Sequence, residues 1–360
     1  MTDRKLSRRE FVKESAIAAA GLAAAAAAAQ AGEADTRKIL NYNPAMEYRR
    51  LGKTGLMVSA VCLGGHWKRI NKMVRSDGVG WLAANIDDPD FQKNRYDVVT
   101  RCMEVGINYI DACCGAEVKA YTRAVKDRRD KIYMGFSWCE KELRNAQYRT
   151  KDALLKVLED GMKEAGLDYA DLWRITMHEQ SGKHTEGEVE EMMKALETAR
   201  KQGKARFTGF SSHDRPHIKG MIEKYSGVID AFCTPYTAKT KELPQDSLFE
   251  TVRKYDIGVF GIKPFASNSL FKGDGALDSP DAKEDDDRAR LAIRYILANP
   301  AITAPIPGLI NPHQVDNVAA AVKERRTLDQ AEKAALDKAM DEAWAKLPPD
   351  YQWLKDWEYV

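Results

Sequence analysis

Lys151-Asp-Ala-Leu-Leu-Lys-Val-Leu-Glu-Asp-Gly-Met-Lys-Glu-Ala165, followed after a short break by Asp171-Leu-Trp-Arg-Ile175, sets the pattern of the chain. Leu154, Leu155, Leu158 and Met162 recur at helical steps, so the first stretch reads as a helix with one apolar stripe. The second is an apolar run of strand length. The same pair follows at once as a helical period over 188–201 and a run over 206–210. Working outward gives eight short runs, at 59–63, 107–111, 131–135, 171–175, 206–210, 228–232, 258–262 and 302–306, with a further helix over 286–297.

Strands that alternate with helices of this length pair in parallel through right-handed crossovers. Eight such units over roughly 250–300 residues predict an α/β fold, a (β/α)8 TIM barrel. The alternative, an open doubly wound sheet, would want a GxGxxG first turn, and none is present. Three segments fall outside the repeat. Residues 67–94 form a long insertion after the first strand, and 265–287 a Gly-, Ser- and Asp-rich loop after the seventh. The tail, 341–360, carries Trp344, Tyr351, Trp353, Trp357 and Tyr359, and so aromatic a stretch is expected to pack on the barrel or on a second subunit of a homo-oligomer.

The 360 residues are 44% hydrophobic and 31% charged, with a formal net charge of +2, the balance of a soluble globular chain. Such neutrality supplies no field for nucleic acid or anionic lipid, so neither is expected as a partner. The six cysteines form no CxxC pair and read as reduced, mostly buried thiols.

Ser7-Arg-Arg-Glu-Phe-Val-Lys13 resembles a twin-arginine export signal, and an uncharged, mostly alanine stretch over 15–32 follows it. The resemblance implies a signal peptide over 1–34, a single barrel domain over 35–360, and passage in the folded state through the twin-arginine machinery to the periplasm. An exported nucleotide enzyme would have to carry its cofactor with it.

Met46-Glu-Tyr-Arg-Arg-Leu-Gly-Lys-Thr-Gly-Leu-Met-Val-Ser59 resembles the opening hairpin of the aldo-keto reductases, and Gly106-Ile-Asn-Tyr-Ile-Asp111 their second strand with its catalytic aspartate. Gly203-Lys-Ala-Arg-Phe-Thr-Gly-Phe-Ser211, Gly258-Val-Phe-Gly-Ile-Lys-Pro264 and Ile306-Pro-Gly-Leu-Ile-Asn-Pro-His-Gln314 match later strands in order. The similarity covers nearly all of 45–323 and implies a nicotinamide-dependent oxidoreductase acting on a carbonyl or alcohol. In that family a tyrosine donates a proton, a lysine paired with the aspartate tunes it, and a histidine orients the substrate. Here Cys114 stands where the tyrosine belongs and Ser137 where the lysine belongs, leaving Asp111 and His178 as the catalytic candidates. The cofactor side is better kept. Ser211 and Ser212 match residues at the carboxamide, Tyr236 the ring that stacks on nicotinamide, and Lys263 a position at the pyrophosphate. Gly308, Gln314 and Asn317 match the adenosine end, at a helix N-terminus suited to phosphate. Ile310 replaces an arginine of many NADP-dependent relatives, which favours NAD over NADP.

Three chemistries follow. In the first, a nicotinamide-dependent redox enzyme acts on a small molecule, a sugar or polyol by analogy, with His178 moving the substrate proton beside Asp111. In the second, metal chemistry draws on His66, Cys113, Cys114, Cys139 and His178, all expected at one rim of the barrel. In the third, the barrel is a non-redox binding protein.

Overall fold

A computed structural model describes residues 35–67, 69–73 and 85–360. The chain divides into two compact units, Met1–Ile39 and Leu40–Val360. Of the first, the described residues form a single 3-10 turn, Thr36–Lys38, capped by the Asp35 carboxylate. The signal-like stretch over 1–34 and residues 74–84 of the insertion lie outside the described residues. No helix of the described residues is long and apolar enough to cross a membrane.

The second unit opens with an antiparallel hairpin of β1 (Tyr48–Arg50) and β2 (Met57–Ser59), which pairs Tyr48 with Ser59. It is tied to the entrance of the second barrel strand: the Ser59 amide donates to Asn108 Oδ1 at 2.8 Å, and the Asn108 amide to Ser59 Oγ at 3.2 Å. Leu51, Leu56 and Val58 cluster with Tyr109, Leu172 and Phe260 in the barrel interior. The Tyr109 and Phe260 rings stack at 4.6 Å. The interior is thus a packed core, and burying each such side chain contributes about 2 kcal/mol.

Eight parallel strands follow: β3 (Leu63–Gly64), β4 (Tyr109–Ala112), β5 (Tyr133–Phe136), β6 (Ala170–Thr176), β7 (Ala205–Ser211), β8 (Ala231–Pro235), β9 (Gly258–Ile262) and β10 (Ala304–Ile306). Each pairs with its sequence neighbour, and a bridge between Gly64 and Gly308 closes the ring. The closure is tight: a Cβ on Gly308 would lie 2.4 Å from the Gly65 carbonyl oxygen. The fold is the expected (β/α)8 barrel. Several strands begin two or three residues later than the apolar run that announces them. Ile107, Ile132, Ile229 and Ile302 are buried just before ladder pairing starts.

The outer layer comprises α1 (Pro89–Glu104), α2 (Gly115–Ala124), α3 (Lys151–Ala165), α4 (Glu186–Lys201), α5 (Arg215–Tyr225), α6 (Leu248–Tyr255), α7 (Ala282–Leu297), α8 (Pro312–Lys323) and α9 (Gln330–Ala345). In α3 the stripe Leu154, Leu155, Leu158 and Met162 is buried. Helix α4 starts two residues before its apolar period because Thr185 and Glu188 form a capping box. Residues 89–94, read as insertion, are the first turns of α1, with Pro89 in the first turn and Asp88 capping.

The aromatic tail folds back on the barrel. After α9, the 3-10 stretch Pro349–Trp357 leads to an edge where Lys241 and Leu243 donate to the Glu358 and Val360 carbonyls at 2.6 and 2.8 Å.

Candidate active site

The C-terminal ends of the strands surround a cavity of about 420 Å³. This is the face where barrel enzymes build their sites, because each strand-to-helix loop contributes there. Asp111, at the end of β4, is buried at the cavity floor and accepts from Arg174 Nε at 2.7 Å and from Arg174 Nη2. Arg174 points inward from β6, two strands away. Between them β5 carries Gly135, where a Cβ would come within 2.9 Å of Asp111 Oδ1, so a side chain there would crowd the pair.

A second group forms the wall between β3 and β4. Glu117, in the first turn of α2, is fully buried and accepts from the His66 and Cys113 amides at 2.7 and 2.8 Å. The His66 ring places Nδ1 3.0 Å from Glu117 Oε1, and Cys113 Sγ lies 3.8 Å from both ring nitrogens. Burial opposes charge on this imidazole, but Cys113 and Glu117 outweigh it and raise its pKa to about 9. Gly65 makes the contact sterically possible, since a Cβ there would sit 1.9 Å from the Glu117 carboxyl carbon.

The opposite wall carries Ser211, His213 and Lys263. His213 is buried, its Nδ1 has no hydrogen-bond partner among the described residues, and its ring stacks on Trp353 of the tail at 4.1 Å. Burial, then the charges of Lys263 and Arg144, hold its pKa well below 6.5, so the imidazole is neutral. Among the described residues, six of the eight non-glycine positions with positive φ fall in strand-to-helix loops of this face: His66, Asp246, Lys263, Ala266, Ser267 and Asn268. Backbone held in so sparsely populated a region clusters at functional sites.

A second cavity, about 450 Å³, adjoins the first and shares His66, Phe265, Asn268 and Gly308 with it. Its far end lies at the start of α8, where Asn311 caps the helix and Gln314 Oε1 accepts from the Ile310 amide at 3.0 Å. Asn317 Nδ2 donates to the Asp286 carbonyl at 3.0 Å, tying α8 to α7.

Residues 80–341 match the family model described as aldo/keto reductase family. The chain belongs to the aldo/keto reductase family. It is an oxidoreductase of that family. Over 318 residues it is 23% identical to L-galactose dehydrogenase of Arabidopsis thaliana, which spans 79% of this chain and 90% of that protein. Among solved structures, the holo form of an aldo-keto reductase from Bacillus halodurans shares 20% identity at a TM-score of 0.57, covering 82% of this chain and 96% of that one. An aldo-keto reductase from Klebsiella pneumoniae, in complex with NADPH, shares 17% at a TM-score of 0.60, covering 81% and 94%.

Against this family, the positions read from sequence divide into two sets. Asp111, Ser211, Lys263 and Gly308 line the first cavity, and Gly308, Gln314 and Asn317 the second. His178, Ser212 and Tyr236 line neither. His178 is half-buried just past β6, its Nδ1 accepting from the Gln180 amide at 3.0 Å. Ser212 Oγ bonds Ser181 Oγ at 2.6 Å, and the Tyr236 hydroxyl accepts from Asn299 Nδ2 at 3.2 Å.

Cys114, in the place of the family tyrosine, is buried at the start of α2. Ser137, in the place of the lysine, donates to the buried Glu142 carboxylate at 2.6 Å, which also accepts from the Trp138 and Thr176 amides. Arg174, His213 and Glu117 are the cavity-side groups that sequence reading missed. For Arg174 a signal existed: an arginine inside an apolar strand run demands a buried acid, and Asp111 ends the run two strands earlier.

Proposed function

We propose that this aldo/keto reductase is a nicotinamide-dependent oxidoreductase that acts on a carbonyl or alcohol of sugar or polyol type. The observation that carries the reading is the continuity of the two cavities. They form one trough, from a polar pit at Asp111 and Arg174 to the N-terminus of α8. The fit to a dinucleotide rests on three features of that trough. Gly308 sits where the cavities meet, packed against the Gly65 and His66 backbone, Lys263 offers a cation beside it, and α8 turns the positive end of its dipole towards a phosphate. When bound, the nicotinamide supplies or accepts hydride.

The chain's own residues do the rest. Asp111 fixes the Arg174 guanidinium, whose Nη1 faces Thr176 and the cavity, as a donor to the substrate oxygen. His178 lines neither cavity; on the wall beside it the group open to the substrate is Glu179. Thr176, Glu179, Ser211, the neutral His213 and Asp350 supply the alternating donors and acceptors that a polyhydroxylated substrate needs.

NAD is favoured over NADP. The adenosine end is lined by Ile310, Asp285 and Asp286. Its basic side chains are engaged: Arg69 with the Gly273 and Asn268 carbonyls, Lys283 with Asp287, and His313 with Asp286. From residues 7–13, the reading includes export in the folded state to the periplasm, with nucleotide already in place.

Calorimetric titration of the purified protein with NAD+ and NADP+ tests the reading. Saturable binding with the stronger affinity for NAD+ is expected, weakened by Asn317→Ala. Absence of heat with either nucleotide would overturn it.

A further inference from the structure

We propose that His66, Cys113 and Glu117 form a binding site for a zinc-type divalent cation, open towards the substrate cavity. One ligand atom from each, an imidazole nitrogen, a thiolate sulfur and a carboxylate oxygen, lie within 4.8 Å of one another. The separations suit a shared ion. Around a tetrahedral zinc, with Zn–N and Zn–O near 2.1 Å and Zn–S near 2.3 Å, ligand atoms stand roughly 3.3–3.7 Å apart. Here Nδ1 is 3.0 Å from Oε1 and 3.8 Å from Sγ, and no pair is more than 4.8 Å apart, so an ion is admitted by side-chain shifts of up to about an ångström.

The chain around these groups is built to hold them. Glu117 is fully buried, and its two oxygens are aimed by the His66 and Cys113 amides, each of which belongs to another ligand residue. Those bonds orient the carboxylate as outer-shell donors orient metal ligands elsewhere. Gly65 has no side chain to displace that carboxylate, and His66 is held at φ 55° by the closed ring behind it. Carboxylate, imidazole and thiol together form the mixed N/S/O set of a borderline-soft cation, and alkaline-earth ions, which prefer all-oxygen shells, fit it poorly.

Three protein ligands are the number a catalytic zinc site uses, and the fourth position is left to water or substrate. His66 and Cys113 line the cavity that holds Arg174 and Asp111, so the open position faces the same space. This role rests on the function proposed above: a Lewis acid there polarises the substrate oxygen, the task of the tyrosine that Cys114 replaces. No electron leaves or reaches the ion in that role.

Elemental analysis of the purified protein is expected to return about one zinc per chain. After chelation, titration with Co2+ should give the near-ultraviolet thiolate-to-cobalt band and the intense visible absorption of a four-coordinate ion. Cys113→Ser should abolish the thiolate band, and Glu117→Gln should weaken binding at least tenfold, with circular dichroism confirming that each variant is folded. If Glu117→Gln fails to fold, the cobalt spectrum of the parent protein still decides. Less than a tenth of an equivalent of zinc with no thiolate band on cobalt addition overturns the site, as does a band that survives Cys113→Ser. Nucleotide titration is read separately. Metal at Cys113 without nucleotide binding overturns the functional reading and supports the site, whereas nucleotide binding in a protein that holds no zinc and takes up no cobalt overturns the site alone.

Discussion

Arg174 reaches past β5 and holds both carboxylate oxygens of Asp111, with Nε 2.7 Å from Oδ1 and the two residues only 2% and 4% exposed. In the family frame the aspartate is the partner of a lysine, and here an arginine two strands away has taken that place. Removing one partner strands the other as a buried, uncompensated charge. Asp111→Ala and Arg174→Ala are each expected to destabilise the protein by roughly 3–5 kcal/mol, and Asp111→Leu combined with Arg174→Met by much less. Urea unfolding checks this. Single variants within about 0.5 kcal/mol of the parent would contradict the pairing.

Glu142 gives the pH dependence a definite sign. Burial pushes its pKa up from the usual 4.5 to about 7, against the hydrogen bonds from Ser137, Trp138 and Thr176. Between those values the folded chain binds more protons at this site than the unfolded chain does. Its contribution to stability is therefore full below pH 4.5 and falls as pH rises to 7, by a total on the order of 3 kcal/mol. Glu142→Gln should flatten that part of the stability profile. A profile unchanged by the substitution would rule Glu142 out as its source.

Trp353 stacks on the buried His213 ring, whose neutrality comes from burial first and then from the charges of Lys263 and Arg144. Trp353→Ala should raise the His213 pKa towards 6.5 as water reaches the ring, measured by NMR titration. Lost stacking costs about 0.5–1.5 kcal/mol of stability. A His213 that still stays neutral at pH 5 would mean that its neighbouring cations, not the tail, set its state.

Ile310 tests cofactor choice. Ile310→Arg places a guanidinium at the adenosine end and should shift the NADP+/NAD+ affinity ratio by about tenfold or more towards NADP+, as a charge-assisted bond of about 1.5–3 kcal/mol implies. An unchanged ratio would show that the 2′ position lies elsewhere.

The barrel was legible because eight apolar runs separated by helical periods admit few other topologies, and the aromatic tail announced that it must be covered. Strand starts were read early at several positions because burial, which shapes composition, begins before backbone pairing does; Ile107 and Ile132 are the plain cases. The site was legible only where one residue's position along a strand decides its placement. Asp111, Ser211, Lys263 and Gly308 lie at strand ends, or within two residues of them, and fall on the cavity. Arg174 escaped because its importance lies in a partner 63 residues away, and His213 because its environment is made by a tail residue 140 positions later. Cys114 and Ser137 sit at the positions of the absent tyrosine and lysine; of the group beside them the sequence offered His66 and Cys113 as metal-ligand candidates, but not Glu117, and it added Cys114, Cys139 and His178, which that group does not include.

The central claim is that the trough across the barrel mouth holds a nicotinamide nucleotide. Native mass spectrometry of gently purified protein, with NAD+ added at micromolar concentration, reads this directly. The account predicts a one-to-one adduct with the mass of the nucleotide, diminished when Asn317 is replaced by alanine. A parent protein that carries no nucleotide mass with either NAD+ or NADP+ would contradict it.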